Sequence, residues 1–473
     1  MPETTVLSFA EMALRRQGSA ARRLVQLALS LALLLFFRRI ETDGAGRVPR
    51  DEPLIFVLNH PNGLIDPALV FCALPRRISF LAKSTLFRMP VIRGLLRVVE
   101  ALPVYRRVDE PEGAASNRET FALCRELLRR NRCIAIFPEG RSHDSTRLLP
   151  VKTGAARIAL GALSWGENAA DAPPLRSLKI MPVGLYYTSK TTFRSEVLMR
   201  FGSPIEVLPA SADADGEPSH EAVRELSARI ETALHEVTLN VADDEELETV
   251  ARAEQLFSSI YETLNFRVSL SAEFDLRRRF AETLAREPAR LSPRVETLRA
   301  RLLKYEEDLS AVGIAPENLS VLAHTRWFVV RRFLLRWLAV GLVSPLAVTG
   351  ALLHLPAYLA STVASLLYRR HGVDEIAATV KILAAIVLVP ATWLVVMLAV
   401  YLIAGWRWSL ASLPLSILCG YVALRSLETL YDLRGWFRAA WLLARDRRHF
   451  LRLLRERRSL LRDMRALARD TST

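Results

Sequence analysis

Cysteine is scarce. The chain has four in 473 residues, at positions 72, 124, 133 and 419. None forms a C-x-x-C pair or a ligand-spaced cluster, which argues against a disulfide framework or a zinc site and for a reducing, cytosolic face. No metal is needed to explain any motif below. Acidic residues are in deficit: 64 Lys and Arg face 50 Asp and Glu, a net charge of +14 and a pI of about 10.1. Such a surface attracts anionic lipid headgroups and acidic substrates, and would equally suit nucleic acid. No nucleic-acid motif or aromatic-basic platform accompanies the charge, so a phospholipid bilayer with anionic lipids is the expected partner, and nucleic acid is not. There is no internal repeat and no low-complexity tract. A nucleophile elbow is also missing. Ala162-Leu163-Ser164-Trp165-Gly166 lacks its first glycine, and the serine follows the helical run Thr153 to Leu163 where an elbow needs a strand.

The amino-terminal segment lacks a signal-peptide cleavage site. Arg22 and Arg23 precede the uncharged run Leu24 to Phe37, which is followed by Arg38, Arg39 and Glu41. Fourteen residues are short for a membrane span. The run fits an interfacial or re-entrant helix that parks the chain on the bilayer, with an ordinary buried helix as the alternative.

Long apolar runs are plentiful further on. Hydrophobic residues make up 51% of the chain and the mean hydropathy is +0.17. Trp337 to Tyr368 is an uncharged run of 32 residues containing Pro345 and Pro356; Ile382 to Trp406 is a second run, and Trp408 to Leu424 a third, of 17. Arg326, Arg331, Arg332 and Arg336 precede the first run, and Arg369, Arg370 and Lys381 follow it. Basic residues on both sides place both ends in the cytoplasm, so the first run is expected to enter and leave as a hairpin near His354-Leu355-Pro356. The other two runs are expected to be a pair of spans joined at Trp406-Arg407-Trp408. The tail from Arg434 has 12 arginines and 4 acids with Trp436, Phe437 and Trp441 among them, and reads as an amphipathic helix on anionic lipid or as a solvated helix.

The chemistry concentrates in Val57-Leu58-Asn59-His60-Pro61-Asn62-Gly63-Leu64-Ile65-Asp66-Pro67. A neutral imidazole takes a proton near pH 7 without a large pKa shift, and a neighbouring carboxylate fixes its tautomer and stabilises the imidazolium. On one regular helix, six residues would put the two side chains about 240° apart. Pro61, Asn62 and Gly63 favour a turn, with a helix beginning near Asp66, so the carboxylate can fold back toward the imidazole. Taken alone, the stretch is also compatible with a surface turn carrying a stray histidine and an N-capping aspartate.

Three further segments share its form. Ala101-Leu102-Pro103-Val104-Tyr105-Arg106-Arg107 is a strand ending in arginines. Cys133-Ile134-Ala135-Ile136-Phe137-Pro138-Glu139-Gly140-Arg141-Ser142-His143-Asp144 is a strand entering a polar turn, with a permissive glycine, a forked guanidinium suited to phosphate and a hydroxyl. Lys179 to Tyr187 is another strand-like run. Four apolar segments with polar payloads predict one site at the ends of neighbouring strands.

In order and spacing, Asn59-His60 to Asp66, Pro103-Val104-Tyr105-Arg106, Phe137-Pro138-Glu139-Gly140-Arg141-Ser142 and Met181-Pro182-Val183-Gly184 resemble the four blocks of the membrane glycerolipid acyltransferases, over roughly residues 45 to 207. Five residues separate His60 from Asp66 where the commonest pattern has four. That spacing, with Ser142-His143-Asp144, resembles the fungal-type glycerol-3-phosphate and dihydroxyacetone-phosphate acyltransferases. The resemblance implies His60 as general base and Asp66 as its orienting partner, with no acyl-enzyme. It implies Arg106 on the acceptor phosphate with Lys83, Arg107 or Arg141; Asn59 beside the base; Glu139, Gly140 and Ser142 around the acceptor hydroxyls; and Pro182 on the acyl side. Lys83, Arg107 and Arg141 could equally be solvated surface charge. His143 and Asp144 read as turn caps or as supports of the site. No cofactor is implied beyond an acyl thioester donor, acyl-CoA or acyl carrier protein, and a phosphorylated glycerol acceptor.

The expected organisation is a membrane-interface helix (1–45), an α/β acyltransferase domain with a mixed sheet flanked by helices (46–207), a charged helical linker (208–325), an α-helical membrane region (326–425) and a basic amphipathic tail (426–473). The catalytic domain is expected on the cytoplasmic face of an integral membrane protein. Three functions are compatible: acylation of glycerol 3-phosphate or dihydroxyacetone phosphate in phospholipid synthesis; acylation of lysophosphatidate or another lysophospholipid; and lipid binding on an inactive fold, which the His60, Asp66, Arg106 and Glu139 set argues against.

Overall fold

The computed structural model describes residues 4–8, 18–105, 114–164, 175–211, 217–239, 269–286, 293–314, 326–370 and 374–470, apart from 64, 75, 89, 144–146, 176 and 191–192. The chain divides into two compact units, Met1–Asn240 with Tyr368–Ile382 and Val241–Leu367 with Leu383–Thr473.

The first unit runs β1 (Thr5–Val6), α1 (Ala20–Phe36), β2 (Arg39–Asp43), β3 (Leu54–Leu58), α2 (Ile65–Ala73), β4 (Ile78–Lys83), α3 (Pro90–Val98), β5 (Leu102–Val104), α4 (Ala114–Arg129), β6 (Cys133–Ile136), α5 (Gly154–Ser164), β7 (Lys179–Tyr187), β8 (Glu196–Phe201), β9 (Ile205–Glu206) and α6 (His220–Val237). The strands form one mixed sheet in the order β1-β2-β8-β7-β3-β6-β4-β5, with β9 also on β7. From β7 to β5 all neighbours are parallel, whereas β8 runs antiparallel to β7. All five residues of β3 are buried, as befits a central parallel strand covered on both faces. Alternation divides them. Ile55 and Val57 pack with Ile134, Ile136, Ile180 and the buried sides of α4, α5 and α6, while the side chains between them point to the opposite face. Tyr187 of β7 reaches Asp66 of α2 there. Each fully buried aliphatic contributes roughly 1.5–3 kcal/mol.

Two boundaries differ from the sequence expectation. Residues 1–45 supply part of the sheet, because β2 pairs with β8 over five residues. Helix α1 turns Arg22, Gln26, Ser30 and Leu33 inward. The Arg22 guanidinium donates to the carbonyls of Val99 and Ile78 and lies 4.7 Å from the Phe71 ring. Leu24, Leu31 and Leu35 remain exposed on its outer side. At the other boundary, residues 220–237 begin the stretch read as a linker, yet α6 belongs to the core through Val223, Leu226, Ile230, Leu234 and Val237.

The second unit holds α7 (Leu270–Arg286), α8 (Pro293–Val312), most of α9 (Arg326–Arg370) and of α10 (Asp374–Ala404), α11 (Trp406–Arg445) and α12 (Arg447–Asp470). Three helical stretches are long and apolar enough to cross a membrane: Leu334–Ala364, Val387–Ala404 and Trp406–Tyr431, of mean hydropathy 1.9, 2.4 and 1.5. The expected hairpin at His354-Leu355-Pro356 does not form; α9 is one helix through both prolines. Pro345 cannot donate to the Gly341 carbonyl, and the Ser344 hydroxyl donates to it instead, at 2.8 Å. The amphipathic tail is corrected over α12. Phe450, Leu453 and Leu460 of α12 are buried, as are Leu302, Tyr305 and Leu309 of α8, and the two helices pack together. Arg301 bridges them to Glu456 and Asp463. Those α12 residues are covered by protein, whereas Phe437 and Trp441 of α11, also read as lipid-facing, are exposed.

A Cβ on Gly184 of β7 would lie 1.9 Å from the Val237 carbonyl oxygen at the end of α6. Gly184→Ala is therefore expected to destabilise the first unit by about 1–3 kcal/mol through overpacking, read as a lower denaturation midpoint. An unchanged midpoint would detach α6 from the sheet.

Candidate active site

The parallel strands bring their carboxyl ends to one edge of the sheet, the edge at which open α/β sheets bind ligands. His60 lies there, two residues beyond β3. Its Nδ1 is 2.8 Å from Asp66 Oδ2. Asp66 occupies the first turn of α2, where the helix dipole favours a negative charge, and it is fully buried. The Asn62 carbonyl accepts from the backbone N–H of Ile65 and Asp66 at 2.9 and 3.2 Å, so the Pro61-Asn62-Gly63 turn leads straight into the helix. Asp66 Oδ2 also accepts from the Asn62 backbone N–H at 2.7 Å, and Oδ1 from the Tyr187 hydroxyl at 2.6 Å. With both carboxylate oxygens accepting, the imidazole presents its proton at Nδ1 and its lone pair at Nε2. Phe137 stacks on the ring, with centroids 4.2 Å apart and planes 20° apart.

A second carboxylate fixes the backbone of the same histidine. Glu139 follows β6, and its side chain is buried. Its Oε1 accepts from the His60 backbone N–H at 2.8 Å. Its Oε2 accepts from the Leu149 backbone N–H at 2.8 Å and pairs with His143 Nε2. The turn between Glu139 and Arg141 closes through Gly140, whose φ of +73° suits glycine and whose N–H donates to the Phe137 carbonyl.

Two family models match the chain. "Acyltransferase" matches residues 39–186, and "Glycerol-3-phosphate acyltransferase 2 C-terminal domain" matches residues 254–471. The chain carries an acyltransferase domain followed by a glycerol-3-phosphate acyltransferase C-terminal domain. Its similarity falls on the fungal-type glycerol-3-phosphate branch. Glycerol-3-phosphate O-acyltransferase 2 of Saccharomyces cerevisiae is 29% identical over 58% of this chain and 37% of its own length. Glycerol-3-phosphate O-acyltransferase 1 of the same yeast is 26% identical over 76% of this chain and 56% of its own. The chloroplastic 1-acyl-sn-glycerol-3-phosphate acyltransferase LPAT1 of Arabidopsis thaliana is 28% identical over 31% of this chain and 39% of its own. The chain thus spans between about a third and just over half the length of these relatives.

Within this acyltransferase domain the structure gathers most of the residues singled out in the sequence. The Asn59 side-chain amide is tied to β7: it accepts from the Leu185 N–H at 2.7 Å and donates to the Leu185 carbonyl at 3.0 Å. Lys83 closes β4 at the same edge, half-buried and paired in register with Val104. Arg141 is exposed, and Ser142 is half-buried in the loop after β6. Arg106, Arg107 and Asp144 lie outside the described residues. Pro182 stands apart from the edge. It is buried within β7, in register with Val57 of β3. Its carbonyl accepts from Gly202 N–H across the break between β8 and β9, and its missing donor falls at that same break. Glu139 was expected on the acceptor hydroxyls; its oxygens are engaged by three protein donors.

Tyr187, Asn62 and Lys190 carry no assigned role in the sequence reading. The Asn62 side chain donates to the Lys190 carbonyl at 3.2 Å, and Lys190 Nζ donates to the His143 carbonyl at 3.3 Å. Tyr187 ends the fourth apolar run, and its phenol gives no sign in the sequence that it meets Asp66, 121 residues away.

Burial, then the charge of Asp66 and the hydrogen bond to it, hold the Tyr187 phenol well above its ordinary value of 10. A raised folded-state value means the hydroxyl's stabilising contribution is complete below pH 10 and declines as pH rises from there toward the folded value. Tyr187→Phe is expected to cost about 1–3 kcal/mol at neutral pH by leaving Asp66 Oδ1 short of a donor. It should also remove part of the alkaline loss of stability. Equal slopes for variant and parent above pH 10 would refute this account of the phenol.

Proposed function

We propose that this chain is an O-acyltransferase that moves a fatty acyl group from an acyl thioester to a hydroxyl of glycerol 3-phosphate or dihydroxyacetone phosphate, in phospholipid synthesis. The observation that carries this reading is the His60–Asp66 pair, 2.8 Å apart, with Asp66 buried and His60 at the open edge of the sheet. His60 Nε2 takes the acceptor hydroxyl proton as the oxygen attacks the thioester carbonyl carbon. Asp66 holds the imidazole by Nδ1 and stabilises the imidazolium. The tetrahedral intermediate collapses with cleavage of the carbon–sulfur bond, and the departing thiolate takes the proton back from Nε2. The acyl group never resides on the protein, so no side-chain nucleophile is required.

The acceptor assignment rests on two further supports. The arginines of the second and third blocks, Arg106 and Arg141, suit a phosphorylated acceptor. The match to a glycerol-3-phosphate acyltransferase C-terminal domain extends over residues 254–471, while the Arabidopsis relative is aligned over 149 residues in all. Acylation of 1-acyl-glycerol 3-phosphate is the second reading, favoured by that relative's printed name. The donor is acyl-CoA or acyl carrier protein. The three apolar helices and the exposed leucines of α1 fit a bilayer rich in anionic lipid, with the catalytic domain on the cytoplasmic face.

The full chain in lipid, given labelled acyl-CoA with glycerol 3-phosphate, dihydroxyacetone phosphate and lysophosphatidate in parallel, is expected to acylate the first two fastest. Transfer to lysophosphatidate alone would select the second reading. His60→Ala should lower kcat by about 10²–10⁴-fold in a variant that still folds, with a denaturation midpoint lowered by the loss of one donor to Asp66; full activity in that variant would remove His60 as the base. Arg106→Ala should chiefly raise KM for the phosphorylated acceptor, and an unchanged KM would take Arg106 out of the phosphate site.

A further inference from the structure

The candidate site contains a second imidazole–carboxylate pair that the reaction above does not use. His143 Nε2 bonds to Glu139 Oε2, and the His143 ring is 12% exposed. A carboxylate partner makes Nε2 the donating nitrogen. The other nitrogen, Nδ1, is buried and has no hydrogen-bond partner among the described residues. A buried polar atom left unpaired costs about 1–3 kcal/mol, so such atoms in native proteins call for an explanation. The backbone holds this one against the base: His143 N–H donates to the His60 carbonyl at 3.2 Å. Lys190 Nζ donates to the His143 carbonyl at 3.3 Å. Lys152 Nζ lies over Gly140, close enough that a Cβ there would meet it at 2.5 Å. Arg141 stands in the same loop. Lys190, Lys152 and Arg141 thus lie on or beside the loop that carries this ring, and the carboxylate the ring meets is already shared with two backbone donors.

We infer that His143 is an acceptor-binding residue whose Nδ1 makes a hydrogen bond to the acceptor phosphate, one proton being shared between that nitrogen and a phosphate oxygen. Glu139 holds the ring in place through Nε2 and the His60 backbone through Oε1, so a single carboxylate sets the distance between the phosphate-binding imidazole and the base. The inference rests on the proposed function, and it assigns to His143 a contact that the motif reading left as a cap.

The test uses the full chain in lipid, with steady-state kinetics for glycerol 3-phosphate, dihydroxyacetone phosphate and the acyl donor, on His143→Gln and His143→Ala. Glutamine keeps a donor for Glu139 and loses the ring's second nitrogen; alanine loses both. Both variants are expected to raise KM for both phosphorylated acceptors by about tenfold, the weight of one charge-assisted hydrogen bond. KM for the acyl donor should stay unchanged in both, and His143→Gln should keep the parent's denaturation midpoint. An unchanged acceptor KM in His143→Gln, with kcat falling only in His143→Ala, would show that the ring only clamps Glu139 and would overturn the inference. An effect on glycerol 3-phosphate but not on dihydroxyacetone phosphate would overturn it too, because Nδ1 would then read a hydroxyl and not the phosphate. Failure of the parent chain to acylate any phosphorylated glycerol would sink the proposed function and this inference with it. That result is distinct from an active parent whose variants keep its KM.

Discussion

The site depends on holding one carboxylate inside the protein. Burying the Asp66 charge without compensation would cost several kcal/mol. Three donors offset this: His60 Nδ1 from the loop after β3, the Asn62 N–H from the turn, and the Tyr187 hydroxyl from the end of β7. Two of these donors are local and one is 121 residues distant, so the carboxylate is satisfied only once β7 has docked beside β3. The other neighbour of β3 is β6, which delivers Glu139 to the His60 backbone. The sheet order β7-β3-β6 thus fixes the base from both sides. It also explains why a central strand of only five residues, Leu54–Leu58, is buried throughout.

Much of this arrangement was legible in the sequence. The four apolar segments end in polar residues because parallel strands release their chemistry at their carboxyl ends, and β3, β5, β6 and β7 fall on those segments. The turn at Pro61-Asn62-Gly63 and the helix starting at Asp66 follow from local residue chemistry. Tyr187 was not legible, because a phenol at the end of an apolar strand looks like core until the register places it opposite Asp66. Glu139 looked like a ligand because a glutamate beside a glycine and an arginine reads as a binding loop. Its inward orientation depends on the Leu149 N–H and on His143, contacts made only when the loop folds over. The inward side of α1 was hidden for a similar reason: Arg22 reads as a flanking charge until two backbone carbonyls and the Phe71 face receive it.

In the second unit, the misread features involve partners that hydropathy alone cannot distinguish. An amphipathic stripe looks the same whether it will meet lipid or another helix, and Leu453 and Leu460 are buried in a helix that packs against α8. A proline in an apolar run reads as a break, but the helix continues where another group satisfies the freed carbonyl, as Ser344 does for Gly341. The same logic governs His354. Its Nδ1 bonds to the Gly350 carbonyl within α9, and its Nε2 accepts from the Trp393 indole N–H at 2.9 Å. The polar atoms of that apolar helix pair are therefore paired with each other, and the histidine that looked like the apex of a hairpin is a bond between two helices.

The extra residue between His60 and Asp66 has a structural use. Asn62 is buried, and three of its polar groups take part in the site: its N–H binds Asp66, its carbonyl receives the first N–H groups of α2, and its side-chain amide donates to the Lys190 carbonyl. Lys190 in turn reaches the His143 carbonyl, and His143 returns through its own N–H to the carbonyl of His60. The chain of bonds closes on the residue from which the turn departs. A turn that presents Asn62 both to the base's carboxylate and to the loop after β7 couples the His60–Asp66 pair to the Glu139–His143 pair through the backbone. The spacing that marks the fungal-type pattern in the sequence is thus the element that ties the proton-accepting side of the site to its cationic side.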